Sequence, residues 1–216
     1  MLKLLLDLLY PRKCIFCRKL LTRNETDLCR ECRETAPIFQ KSKNKYSFIA
    51  RWTAVWYYKD KARDSILMYK FGEQLSFYRA YGRFLAMKLY QEGMDDFDLL
   101  TWIPVSRLRK LQRTFDQVEL LAQQVGKEFS VKPVRTLVKI RNTPPQSGIH
   151  NTAARKANVL GAYRVKDPKL VEGKRILLLD DVITTGSTAS ECARTLLSAG
   201  AKEVIFGAIA TTGNEK

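Results

Sequence analysis

Apolar and polar positions follow two rhythms along this chain, and each change of rhythm marks an element. Trp52 to Tyr58, WTAVWYY, has the aromatic and β-branched make-up of a strand. KARDSILMYKFGE then predicts a helix ending near Gly72. SFYRAYGRFLAMKLYQEG continues helically, with Phe77, Tyr81, Phe84, Leu85 and Leu89 on one face and Gly93 as the stop. DLLTWIPV, Asp98 to Val105, is a buried strand. A helix follows with Val118, Leu121, Ala122, Val125 and Phe129 in one stripe. VRTLVKI, Val134 to Ile140, is the next strand, and YRV a short one. KRILLLD is a fully apolar strand. The helix after it shows Ala189, Cys192, Ala193, Leu196 and Leu197 at helical spacing, and KEVIFGAIA closes as a strand.

Strands alternating with helices predict an α/β fold: a mostly parallel sheet flanked by helices. RNTPPQSGIHNTAARKANVLGA is too loose over its first half for helix or strand and reads as a long loop, either functional or disordered. There is no G-x-x-x-x-G-K-[ST] and no G-x-G-x-x-G, which excludes a Walker-type ATPase and a standard dinucleotide fold.

Charge changes the picture. Lys and Arg total 38 against 22 Asp and Glu, a formal net charge of +16. Such an excess suits a polyanion: nucleic acid or an anionic membrane surface. Residues 37–94 hold eleven Lys and Arg against four Asp and Glu, interleaved with aromatic residues. That composition fits two arrangements. One is a single-strand surface, where bases stack on rings and cations follow phosphates. The other is an aromatic core with a solvated basic exterior. The N-terminal MLKLLLDLLYP is broken by Lys3 and Asp7 and ended by Pro11. It is too short to span a bilayer and reads as a short amphipathic helix docked on the body, in a cytoplasmic protein.

Four of the five cysteines form CIFC and CREC: Cys14, Cys17, Cys29 and Cys32, two C-x2-C pairs separated by eleven residues. Each pair turns two sulfurs to one side of a tight turn, so together they close a tetrahedral, structural Zn²⁺ site. Two disulfides are the rival pairing, which a cytoplasmic address argues against. The chain therefore divides into a helix and zinc module over 1–36, a basic linker over 37–50, and the α/β domain over 51–216.

The chemistry concentrates in ILLLDDVITTGST, Ile176 to Thr188. Ligands of open α/β sheets bind beyond the carboxyl ends of the strands, where Asp180 and Asp181 fall. Thr184, Thr185, Gly186, Ser187 and Thr188 open the next helix and suit a phosphate: free N–H groups, the helix dipole, and hydroxyl donors. The paired carboxylates suit ribose hydroxyls or Mg²⁺.

This stretch resembles the phosphoribosyl pyrophosphate signature of type I phosphoribosyltransferases. The resemblance widens to the ComF family of competence proteins through CIFC…CREC, WIPVSRLRKLQRTFDQVELLA, RNTPPQSGIHNTAARKANVLGAYRV and ILLLDDVITTGSTASECARTLLSAGA, in that order. It implies a zinc module ahead of a phosphoribosyltransferase-like domain. It further implies a role in natural transformation, handling incoming single-stranded DNA at the inner face of the membrane. The implied partners are a helicase-like ATPase and other DNA-processing proteins. Two alternatives stay open: an active Mg²⁺-dependent phosphoribosyltransferase, and a nucleotide-sensing regulator of DNA uptake. In either, Asp180 and Asp181 hold the ribose, 184–188 the 5′-phosphate, and Arg107, Arg109, Arg113, Lys139 and Arg141 the pyrophosphate or a closing hood. The sole histidine, His150, reads as a solvated loop residue. Where the family usually has Arg-Gly-Phe-Asn-Gln, this chain has Thr114 and Asp116 in place of Gly and Asn. Thr114 removes backbone freedom from an anion loop, and Asp116 sets a negative charge beside a negative ligand.

Overall fold

The computed structural model describes residues 11–40, 46–71, 74–105, 115–141 and 152–213. The N-terminal segment 1–10, the loop with Arg107, Arg109, Arg113 and Thr114, and the loop 142–150 with His150 lie outside the described residues.

The elements in chain order are α1 (Arg30–Glu34), β1 (Arg51–Tyr57), α2 (Asp60–Lys70), α3 (Phe77–Gln91), β2 (Leu99–Trp102), α4 (Gln117–Glu128) and β3 (Leu137–Lys139). Then come α5 (Thr152–Val159), β4 (Tyr163–Val165), β5 (Arg175–Ile183), α6 (Ser187–Ser198) and β6 (Glu203–Thr211). The main sheet has the order β1-β6-β5-β2, and each of its pairings is parallel. Strands β3 and β4 leave it to form a separate antiparallel pair, Leu137 opposite Val165.

The apolar run of β5 is explained by two cores. Leu177 and Leu179 enter one with Ile205 and Ile209 of β6, under α2, α3 and α4. Ile176 and Leu178 enter the other with Phe206 and Ala208, under α6 and the β3–β4 pair. Both faces are covered, so the strand cannot alternate with polar residues. Helices α3 and α4 meet closely: at Gly82 of α3 a Cβ would come 2.4 Å from the Gln124 side chain of α4, and Gly126 of α4 lies where a Cβ would come 2.3 Å from the carbonyl oxygen of Val131.

Five of the aromatic residues settle into the core, whereas Phe48, Phe71 and Tyr90 are at least half exposed. Trp52, Trp56, Tyr69, Phe77 and Tyr81 are buried and pack edge-on, Trp56 against Tyr81 at 5.9 Å and against Phe84 at 5.2 Å. These rings are core, not stacking platforms for bases. Burial of apolar area outweighs any exposed arrangement of the same rings.

Residues of the segment read as linker also enter the core. Phe39, Tyr46 and Ile49 are buried, and Phe39 and Tyr46 pack on Trp52, each at 4.9 Å. The Phe39 N–H donates to the Val55 carbonyl and the Tyr57 N–H to the Pro37 carbonyl, covering the open edge of β1.

Asp116 has a structural task that the family comparison did not suggest. Its carboxylate accepts the N–H groups of Val118 (3.1 Å) and Glu119 (3.2 Å) as the N-cap of α4.

Gly126→Ala is expected to cost about 2 kcal/mol, because backbone rather than a mobile side chain must move aside. Urea denaturation reads it as a lower midpoint at unchanged slope.

Candidate functional site

The first candidate is the cysteine cluster. Cys14 and Cys17 lie in one tight turn, closed by the Arg18 N–H on the Cys14 carbonyl and the Cys14 N–H on that of Lys19. Cys29 caps α1 and Cys32 lies within it. The Ile15 N–H donates to the Asp27 carbonyl, docking one turn against the other. All four sulfurs lie within 4.8 Å of one another, and Cys17 and Cys29 are 3.6 Å apart. Four thiolates around one Zn²⁺ stand about 3.8 Å apart given Zn–S bonds of about 2.3 Å, so the donors fit the ion. A disulfide needs about 2.05 Å.

Burial pushes the thiols of Cys29 and Cys32 up. At Cys14 burial acts the same way, but the backbone N–H groups of Cys17, Cys29 and Phe16 outweigh it and bring the thiol down to about 7. The cluster reaches into the larger of the two cores: Phe16 packs on Trp56 at 5.1 Å, and Ser65 donates to the Ile15 carbonyl at 2.6 Å. Lys61, near the start of α2, sits 3.9 Å from the Cys32 sulfur and 3.1 Å from Glu31.

The second candidate is the acid pair. Pairing of β2 with β5 ends at Trp102 opposite Leu179, whereas β6 follows β5 as far as Ile183. Asp180 and Asp181 thus lie near the carboxyl end of β5, which runs on to Ile183, one and two residues past the point where pairing with β2 stops. On that side no strand pairs with β5 past Leu179 among the described residues, and this open edge beside the acid pair is the crevice meant below. Each carboxylate accepts the next backbone N–H, Asp181 on Asp180 at 2.8 Å and Val182 on Asp181 at 2.6 Å. Burial, and after it the charge of Asp181, pushes the Asp180 carboxyl well above the usual carboxylate range. Lys70, the last residue of α2, lies 3.0 Å from Asp181.

The hydroxyl loop folds as the spacing predicts. Gly186 is the N-cap of α6 at φ +74°, with no side chain to offer the first-turn N–H groups. Thr185 and Ser187 share a hydroxyl contact at 2.9 Å. Three residues that no motif announced complete the site. Tyr46 lies against Gly186, where a Cβ would come 2.2 Å from its ring, and its hydroxyl donates to the Thr184 carbonyl at 3.4 Å. Arg155 of α5 reaches the Thr184 hydroxyl at 3.5 Å. Lys70 is the third. All three sit at least 29 residues away from the loop they touch, or 111 in the case of Lys70 and Asp181. The expected hood residues Lys139 and Arg141 fall in and after β3. Lys139 lies 5.7 Å from the Tyr163 ring, and Arg141 donates to the Asn158 carbonyl at 3.0 Å.

A free helix N-terminus beside two carboxylates suits a phosphate and vicinal hydroxyls of one small ligand. Because Lys70 already occupies Asp181, a Mg²⁺ here would be held chiefly by the ligand's own phosphates.

Comparison with known proteins agrees with this geometry. The model of the phosphoribosyl transferase domain matches residues 118–216, and that of the double zinc ribbon domain matches residues 5–43. With five cysteines and one histidine, this chain has ligands for a single four-cysteine centre. A DNA utilization protein YhgH of Salmonella typhimurium is 34% identical over 115 residues, 52% of this chain and 48% of that protein. Competence protein F of Haemophilus influenzae is 31% identical over 104 residues, 47% and 45%. Competence protein ComFC of Streptococcus pneumoniae is 30% identical over 151 residues, 70% and 64%. The chain spans from about half to just under two thirds of the length of these relatives. They bear out the resemblance to ComF proteins, and the fold is a phosphoribosyltransferase-like α/β domain behind a zinc ribbon. Among the described residues no helix is long and apolar enough to cross a membrane.

Two outcomes test the sites. Cys32→Ser is expected to lower the melting temperature by at least about 10 °C in one cooperative transition, since the ribbon and domain share a core. A separate early transition of the ribbon alone would contradict that. Gly186→Ala is expected to cost about 2 kcal/mol or more, from φ strain and the Tyr46 clash. Adding Tyr46→Ala removes only the clash, so the two changes will not add in a denaturation cycle.

Proposed function

We propose that this chain, a homologue of the ComF-type competence proteins built from a zinc ribbon and a phosphoribosyltransferase-like domain, binds and handles single-stranded DNA during natural transformation. The observation that carries the reading is where the charge lies. The chain has a formal charge of +16, yet its sugar-phosphate crevice is lined by Asp180 and Asp181, with Asp116 near enough to add to the repulsion that Asp180 feels. One sugar-phosphate ligand carries only a few negative charges, so most of a +16 surplus is left for another partner. A polyanion is the ligand class that such a surplus attracts. Relatives named for DNA utilization and competence support the same reading.

The crevice keeps a separate ligand. Phosphoribosyl pyrophosphate or a nucleotide fits it: the 5′-phosphate on the first turn of α6, the ribose hydroxyls on Asp180 and Asp181, and Arg155 at the loop's outer side. With its carboxyl held above the usual range, Asp180 accepts a hydroxyl without placing a second full charge beside the phosphate. The inherited fold does not by itself imply inherited transfer chemistry. Zinc holds the ribbon. A helicase-like ATPase is the expected protein partner, at the inner face of the membrane.

Asp180→Asn with Asp181→Asn separates the two ligands. Calorimetry is expected to show phosphoribosyl pyrophosphate affinity falling at least about tenfold, the cost of losing charge-assisted hydrogen bonds. Oligonucleotide affinity should hold or rise, and fall steeply with salt in both proteins. Salt-insensitive or absent oligonucleotide binding refutes the DNA role. Consumption of phosphoribosyl pyrophosphate with a nucleobase would make the protein a transferase.

A further inference from the structure

A groove between the zinc ribbon and α3 belongs to neither site described above. It encloses about 1250 Å³ and shares no residue with the Asp180–Thr188 crevice. Its lining includes seven Lys and Arg side chains and a single carboxylate, Asp27. Two of the cations are engaged: Arg83 pairs with Asp27, and Lys88 with Glu92. Arg12, Lys13, Arg18, Arg33 and Arg79 make no ion pair among the described residues. The floor is apolar, formed by Trp56 and Phe84, with Ile38 and Met87 at least half exposed beside them.

Arg18 supplies a second, independent observation. Its φ is +67°, in the left-handed region that favours glycine. The left-handed turn at Arg18 swings the following residue back, so that the Lys19 carbonyl accepts the Cys14 N–H. An arginine is kept there nonetheless, with its guanidinium 5.2 Å from the centre of the Phe77 ring on the groove wall. At this φ glycine is the relaxed residue, so replacing Arg18 by glycine removes a groove cation without straining the turn.

We propose that this groove is the track for the phosphodiester backbone of single-stranded DNA. The inference rests on the DNA-handling reading and adds a location to it. Trp56 and Phe77 are 2% and 4% exposed, so bases do not stack on them. The groove binds through phosphates on its cationic walls while an apolar floor accommodates base edges of any sequence. Recognition is therefore sequence-tolerant and strongly salt-dependent.

Binding of a fluorescein-labelled oligothymidylate to the zinc-loaded full chain tests it. Arg18→Gly removes the cation and relieves its backbone, so zinc content and melting temperature are expected to hold. Affinity should fall roughly fivefold, and the log–log salt slope should flatten by about 0.7. Adding Arg79→Gln should take the loss beyond roughly twentyfold. Lys166→Gln with Lys169→Gln removes two exposed charges outside the groove and should leave binding close to wild type. Equal binding by the groove pair and this control pair overturns the groove, including the case in which it holds a protein segment. Competition by Mg²⁺ and phosphoribosyl pyrophosphate in the wild type also overturns it, by moving the DNA to the crevice. A wild type that binds no oligonucleotide instead fails the DNA-handling reading itself.

Discussion

One strand must be apolar on both faces and then turn polar within a single residue. From Ile176 to Leu179, β5 feeds two cores at once, so every side chain there is buried. At Asp180 the partner strand β2 has ended, and the backbone still pairs with β6. Burial on one side and an opening on the other follow from that mismatch in strand length. It sets the position of the acid pair, the start of α6 and the rise in the Asp180 carboxyl's proton affinity.

How much of this was legible depends on how far each signal reaches along the chain. The two C-x2-C pairs are local and chemically specific, and their four sulfurs converge as their spacing implies. The apolar strand, the acid pair and the hydroxyl loop are likewise contiguous. Lys70, Tyr46 and Arg155 were not legible, because each meets its partner only after the chain has folded back, and a lysine ending an amphipathic helix looks like any solvated residue. The antiparallel pairing of β3 and β4 was missed for a related reason. Three-residue strands carry too short a pattern to reveal their direction. Asp116 has a second task that the motif does not announce: its carboxylate caps the first N–H groups of α4, while its charge still reaches Asp180.

The zinc ribbon is better regarded as a wall of the domain than as an appendage. Its Phe16 and Ile15 are buried against Trp56 and Ser65, and its basic residues form one side of the groove. Composition alone could not separate a basic exterior from a stacking surface over residues 37–94. Burial settles it for Trp52, Trp56, Tyr69, Phe77 and Tyr81, which are core.

Helix α2 touches both chemistries. Lys61 near one end stands beside the Cys32 sulfur, and Lys70 at the other end is paired with Asp181. Nine residues of helix set these two ammonium groups' backbone positions about 14 Å apart along its axis. The Lys70 carbonyl is further tied to Gln117 at the start of α4. The helix is thus a strut of fixed length between the four-cysteine cluster and the acid pair. Neither can shift along that line without dragging the other, so the ribbon's metal serves as the mooring that keeps Lys70 at its post.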